Sequence, residues 1–122
     1  MAQKGQSRIL VIGENDHRRE LASILRGTAD EVEFVEEEPE ATTAIFSELP
    51  PQLLILGSNL SFADKATLVQ YISEGTESLY IIVRNNPEDR KLSAYGYIDR
   101  WDDAQAIKKT VMSLLQGIDR NL

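Results

Sequence analysis

Three short runs of consecutive apolar residues constrain the fold of this 122-residue chain more than any other feature. The runs are RILVI at residues 8–12, QLLIL at 52–56 and LYIIV at 79–83, and a glycine follows each of the first two. A parallel strand that is covered on both faces has a continuous apolar sequence, whereas a half-exposed strand alternates. The runs therefore predict the central strands of a parallel sheet.

Segments with helical periodicity separate these runs. Asn15 or Asp16 can cap a helix that extends to about Arg26, and Gly27 ends it. Similar patterns predict helices at residues 39–49, 61–75 and about 103–118, with a short helical segment near Leu92. Residues 31–36 alternate and predict an edge-like strand, and a weak fifth strand is expected at residues 97–98.

Strands that alternate with helices through short turns indicate an α/β fold. At this length we predict a flavodoxin-like, doubly wound, five-stranded parallel sheet of order 2-1-3-4-5. One domain is expected over residues 8–118, after a disordered polar N-terminus at residues 1–7.

Composition and charge narrow the possible partners. The chain has 13 Lys and Arg against 20 Asp and Glu, a net charge of −7, so it repels the phosphates of nucleic acids and is not expected to bind them directly. It has no apolar run long enough to cross a membrane and no secretory signal, and it lacks cysteine. These features predict a cytoplasmic protein without membrane contact.

In doubly wound sheets, ligands bind beyond the carboxyl ends of the strands where the strand order reverses. Here that position corresponds to Gly13 and Glu14 after the first strand and to Gly57 and Ser58 after the third. Neither glycine-rich phosphate-binding motif is present, and the single histidine, His17, cannot assemble a catalytic triad. We therefore predict no catalytic residue, no metal site, no cofactor and no enzyme activity.

The element order, the length and the sequence ILVIGEND at residues 9–16 resemble the receiver domain of two-component response regulators, over nearly the whole chain. Receivers end their first strand with paired acids that bind magnesium, the third with the phosphorylated aspartate, the fourth with Thr or Ser and the fifth with lysine. The resemblance implies a degenerate phosphoacceptor pocket. The corresponding residues are Gly13 and Glu14 for the acids, Gly57 for the phosphoacceptor, Arg84 for the hydroxyl and Arg100 for the lysine, and Ser58 next to Gly57 also belongs to the pocket.

Two consequences follow from these replacements. Glycine has no side chain that could form an acyl phosphate, so Gly57 excludes phosphorylation at this position. A single carboxylate, Glu14, cannot supply the coordination that magnesium requires. Arg84 or Arg100 is then expected to pair with Glu14; alternatively, the two arginines recruit an anion or a nucleotide.

A narrower resemblance rests on ELASILRG at residues 20–27, LLILGS at 53–58 and DRKLSA at 89–94. These segments are similar to the N-terminal domain of FleQ/FlrA-type flagellar master regulators, sigma-54-dependent enhancer-binding activators whose receiver-like domain also carries Gly-Ser after its third strand. The resemblance implies that residues 119–122 begin a linker to an AAA+ ATPase module and a helix-turn-helix domain. Family members sense cyclic di-guanylate through the ATPase module and its linker, so no residue here is assigned to that ligand.

The leading hypothesis is a phosphorylation-independent regulatory domain that acts by dimerisation or by contact with the adjacent ATPase module. The candidate interface consists of Tyr95, Tyr97 and Trp101, because aromatic residues are enriched at interface centres and the interval between residues 84 and 100 is shorter than in ordinary receivers. The alternative is a stand-alone pseudo-receiver that binds a small anionic ligand in the crevice.

Overall fold

Five parallel strands form one sheet in the part of the chain that the computed structural model describes, which comprises residues 8–29, 31–36, 51–75, 78–99 and 103–120, with side chains up to residue 116. Their order is β2-β1-β3-β4-β5, so the predicted fold class and strand order are confirmed. The strands are β1 (Arg8–Ile12), β2 (Glu31–Val35), β3 (Leu53–Leu56), β4 (Leu79–Val83) and β5 (Gly96–Ile98).

The described helices are α1 (Arg18–Leu25), α2 (Phe62–Gly75) and α3 (Ala104–Arg120), and a 3-10 turn covers Pro87–Lys91. The helix predicted at residues 39–49 lies outside the described residues. None of the described helices combines the length and the apolar character needed to cross a membrane.

The helices form two cores, one on each face of the sheet. On the first face α1 and α3 pack against the strands, and the buried side chains include Leu21, Leu25, Ile107, Val111, Val11 and Ile55. On the second face α2 packs through Leu68 and Ile72 against Leu10, Ile12, Leu54 and Leu56. Consecutive side chains of a strand point to opposite faces, so a strand between two cores needs an apolar residue at every position.

The start of α1 differs from the prediction. Asn15 and Asp16 were expected to cap this helix, but its N-cap is His17, whose own side chain makes no capping bond. The His17 N–H donates instead to Oε2 of Glu14 at 3.2 Å. A carboxylate three residues earlier therefore pairs the N–H of the N-cap residue, one of the first four N–H groups that have no partner within the helix.

Two other predicted helix starts are supported by hydrogen bonds. Ser61 Oγ accepts from the N–H of Asp64 at 3.1 Å, before the second turn of α2. Asp103 Oδ1 accepts from the N–H of Ala106 at 3.2 Å, as expected of a residue that caps α3; Asp102, the alternative cap, lies outside the described residues. Both are side-chain acceptors for otherwise unpaired helix N–H groups.

A single 3-10 turn connects β4 to β5. A longer helix would need a larger interval between these two strands. Asn86 is its N-cap and Pro87 occupies its first position, as predicted from the Asn-Pro pair. Leu92 and Ala94, which follow the turn, pack against the second core. The turn and these two residues cover the sheet beside β5.

Candidate functional site

A buried glutamate lies at the carboxyl end of β1, next to the end of β3. Glu14 is 2% exposed. Its Oε1 accepts from the Ser58 N–H at 2.6 Å, and the Ser58 hydroxyl lies 2.7 Å from both carboxylate oxygens. Together with the His17 N–H on Oε2, these donors join the loop after β3 to the start of α1 through one carboxylate.

Two glycines let the backbone close around this carboxylate. Gly13 has a φ of +66°, and a Cβ there would lie 2.6 Å from Cγ of Leu60. A Cβ on Gly57 would lie 2.6 Å from the carbonyl oxygen of Gly13 and 2.7 Å from that of Ile12. A Cβ atom cannot lie this close to another heavy atom. The two carbonyl oxygens near Gly57 belong to the main chain, which cannot move aside as a flexible side chain can. Position 57 therefore has no side chain that could accept a phosphoryl group and no space for one.

A buried ion pair lies beyond β4, at residues that the sequence analysis did not single out. Nζ of Lys65 lies 2.7 Å from Oδ2 of Asp89, and both side chains are fully buried. Nζ also donates to the carbonyl oxygen of Val83 at 2.9 Å and to Oδ1 of Asn85 at 2.7 Å. Three acceptors thus satisfy the three protons of the ammonium group. The signal that could have identified Lys65 is its position three residues before Leu68, on the apolar stripe of α2.

Asn85 connects this ion pair to the Glu14 carboxylate. Its Nδ2 donates to the carbonyl oxygen of Ser58 at 2.7 Å, while its Oδ1 accepts from Lys65. A continuous chain of hydrogen bonds therefore runs from Glu14 through Ser58, Asn85 and Lys65 to Asp89. It ties the ends of β1, β3 and β4 to the 3-10 turn.

Arg84 does not pair with Glu14, so that part of the prediction is wrong. Its guanidinium makes a bidentate contact with Asp99, in which Nε and Nη2 each lie 2.7 Å from a carboxylate oxygen, and it stacks 4.0 Å from the centroid of the Tyr97 ring. The physical reason is register: the Arg84 N–H donates to the carbonyl oxygen of Ile98, which places Asp99 beside it at the end of β5. Arg100, the other predicted partner, lies outside the described residues.

The contact between Arg84 and Asp99 shifts the pKa values of both side chains. Its hydrogen bond to Asp99 holds the pKa of that carboxyl below its ordinary value, and the same bond raises the pKa of Arg84. Both side chains are partly exposed, at 31% for Arg84 and 54% for Asp99. The pair lies in an open cleft whose lining also includes Asn86 and Arg90.

No protein-family model and no curated protein matches the sequence. Solved structures do match. The N-terminal domain of a response regulator/sensory box/GGDEF three-domain protein from Carboxydothermus hydrogenoformans is 20% identical, with a TM-score of 0.67 over 94% of this chain and 98% of that one. A two component transcriptional regulator AraC from Clostridium phytofermentans is 19% identical, with a TM-score of 0.68 over 94% and 99%. An adenylate cyclase from Rhodopirellula baltica is 16% identical, with a TM-score of 0.67 over 95% and 94%.

The fold is that of a receiver domain. At these identities the likeness shows the architecture alone, and it carries no activity from any of these proteins to this chain. In this chain, Glu14, Gly57 and Arg84 follow the carboxyl ends of β1, β3 and β4.

Magnesium does not fit the residues at this receiver pocket. The metal requires several oxygen ligands in octahedral geometry. Both oxygens of Glu14 already accept hydrogen bonds from Ser58 or His17, and Gly13 and Gly57 have no side chains. Among the described residues there is also no group of three or more acidic, histidine or cysteine side chains that could hold a metal ion.

Two of the three residues of the candidate interface are described. Tyr95 is 56% exposed and packs edge-on against Tyr80, with ring centroids 5.1 Å apart. Tyr97 is half-buried, and its hydroxyl donates to the carbonyl oxygen of Leu92 at 3.1 Å and accepts from the N–H of Ala94 at 3.0 Å. Tyr95 thus points outward while Tyr97 supports the segment before β5. Trp101 lies outside the described residues.

Proposed function

We propose that this chain is a phosphorylation-independent regulatory domain of the pseudo-receiver type, which acts by contact within a sigma-54-dependent flagellar transcription activator. Its partner is a second copy of itself or the AAA+ ATPase domain of the full-length regulator, and it is not an enzyme. The observation that carries the proposal is that Gly57, which the resemblance to receivers aligns with the phosphoacceptor, has no space for a side chain.

The electrostatics of the crevice support this function. A receiver that is switched by phosphorylation needs a carboxylate nucleophile, a divalent cation and a basic group to neutralise the added charge. In this chain the nucleophile position is glycine, both oxygens of Glu14 accept hydrogen bonds, and Arg84 is paired with Asp99. Signals must then be transmitted by surfaces rather than by covalent chemistry at this site.

The assignment to a sigma-54-dependent flagellar activator rests on three segments that are similar to FleQ/FlrA-type regulators. One of these segments contains Gly57 and Ser58. The length of the native gene product tests it. An ATPase module encoded after Leu122 supports the activator, whereas a stop codon at that point favours the stand-alone pseudo-receiver that binds an anion.

Incubation with acetyl phosphate and magnesium tests phosphorylation independence. Intact-mass measurement is expected to show the unmodified chain under conditions in which an ordinary receiver gains one phosphoryl group. A mass gain of one phosphoryl group that is lost on mild base treatment would contradict the proposal, because base lability identifies an acyl phosphate.

A further inference from the structure

The donors around Glu14 form a cradle for a negative group. Ser58 supplies an N–H and a hydroxyl, and His17 supplies a second N–H, all directed at the two oxygens of one carboxylate. Among the described residues no lysine or arginine side chain forms an ion pair with Glu14. Within the described part of the chain, the donors to this buried carboxylate are therefore neutral groups, two of which belong to the backbone.

The donors of this cradle must lie close to the carboxylate oxygens, because burying a carboxylate without strong hydrogen bonds lowers the stability of the folded state. Bonds from N–H or O–H groups to a carboxylate are shorter and stronger than those between neutral groups, and the three contacts to Ser58 measure 2.6–2.7 Å. The donors are also fixed independently of Glu14. Asn85 holds the carbonyl oxygen of Ser58, and the N–H of Asn59 donates to the carbonyl oxygen of Gly13 at 2.8 Å.

We propose that Ser58 and His17 form an oxyanion-binding cradle whose resident ligand is the carboxylate of Glu14 from the same chain. The chemical class that the cradle takes is a small oxyanion with two oxygens on one face, such as a carboxylate or inorganic phosphate. Glu14 excludes free anions because its own group is present at a high effective concentration. This inference rests on the proposed function and deepens it: the crevice is permanently occupied, so the domain needs no phosphoryl group and no soluble anion.

The test removes the Glu14 carboxylate by mutation and supplies inorganic phosphate in its place. The melting temperature of Glu14→Ala is measured in sodium phosphate and in sodium chloride of equal ionic strength. The variant is expected to gain about 4–8 °C when phosphate is about ten times its Kd, since ligand that binds the folded state raises stability by mass action. The wild type is expected to show no difference between the two salts.

Two variants identify the site of binding. Glu74→Ala removes an exposed acid of α2 and should behave as the wild type, which controls for the loss of one negative charge. Adding Ser58→Ala to Glu14→Ala removes the hydroxyl donor and should reduce the phosphate effect at least severalfold. An equal phosphate effect in the wild type and in Glu14→Ala would overturn the inference and point to another anion site, such as the cleft beside Arg84 and Arg90.

If Glu14→Ala does not fold, Glu14→Gln provides an independent test, because the amide keeps the shape of the side chain and removes its charge. The amide proton of Ser58 should resonate at low field in the wild type and move upfield in Glu14→Gln by more than amides remote from the site. An unchanged Ser58 resonance would refute a charged ligand in the cradle. None of these readouts depends on phosphorylation or association, so the inference and the proposed function can fail separately.

Discussion

Residue 57 lies against the main chain at the end of β1. This contact predicts that replacing residue 57 alone does not create a phosphoacceptor. Gly57→Asp places a Cβ 2.6–2.7 Å from two carbonyl oxygens and from Cβ of Glu14. We expect a loss of about 1–3 kcal/mol from overpacking, with an additional loss from the carboxylate next to Glu14. Urea unfolding measures the loss, and intact mass after treatment with acetyl phosphate should still show no phosphoryl group.

Gly57→Ala is the matched control, since it adds the Cβ without the charge. It should lose stability, but less than Gly57→Asp. A Gly57→Asp variant that is as stable as the wild type and accepts a phosphoryl group would show that the loop after β1 moves away easily, contrary to the structure.

The buried pair of Lys65 and Asp89 leads to a second prediction. Removal of one member of a buried ion pair leaves an uncompensated charge and costs about 3–5 kcal/mol. Lys65→Met and Asp89→Asn should each show a loss of this order. The double variant should be more stable than the sum of the two losses predicts, because it buries no unpaired charge.

A double-mutant cycle by chemical denaturation measures this coupling. Lys108→Met, at an exposed position of α3, controls for the loss of a lysine and should change stability by less than about 0.5 kcal/mol. Single losses as small as that of Lys108→Met would show that the pair is not buried in solution.

The site was predictable from sequence only in part. The end of an apolar run locates Glu14, Gly57 and Arg84 at one edge of the sheet, because parallel strands end together. Sequence does not determine which partner a side chain reaches: Glu14 turned to Ser58, and Arg84 turned to Asp99. Both choices depend on how the neighbouring strand ends are placed relative to one another, which no periodicity encodes.

At the scale of elements, strands were predicted better than helix ends. The boundaries of β1 and β4 agree with their apolar runs, because burial on two faces excludes polar residues within a strand. The start of α1 was misplaced because Asn15 and Asp16 both have side chains typical of helix caps, whereas the N-cap is His17. Local sequence did not distinguish them, and the tertiary contact with Ser58 positions Glu14.

The ends of β4 and β5 are joined by Arg84 and Asp99, which predicts a pH dependence. Because the folded-state pKa of Asp99 is depressed, the pair contributes stability above the ordinary carboxyl pKa of about 3.9 and loses it as the pH falls through the folded-state value. Asp99→Asn should therefore cost at most about 1 kcal/mol near neutral pH, since the pair is partly exposed.

The difference between the wild type and Asp99→Asn should shrink below about pH 4 and also in high salt. Urea unfolding at several pH values and salt concentrations measures it. A difference that grows as the pH falls would mean that Asp99 is stabilised in its protonated form, against the geometry with Arg84.

For the whole molecule, the question is which surface makes the proposed contact. The sheet ends at β5, and a single 3-10 turn precedes this edge strand. Tyr95 is exposed beside it, and Trp101 follows it in sequence. Large aromatic side chains bury much area with little loss of rotamer freedom, which makes this edge the candidate for self-association or for docking of the ATPase domain.

We therefore predict a weak homodimer, or docking of a neighbouring domain, over β5 and α3. An interface anchor contributes about 1–3 kcal/mol, so Trp101→Ala should weaken association by about 5- to 150-fold, and Tyr95→Ala should weaken it in the same direction. Sedimentation velocity across a concentration series measures this for each variant. Tyr71→Ala removes a tyrosine that is 39% exposed from α2 and should leave association unchanged. If the wild type remains monomeric at high concentration and binds no ATPase domain, or if all three variants associate equally well, the interface does not lie at β5, and the surface of α1 is the next to test.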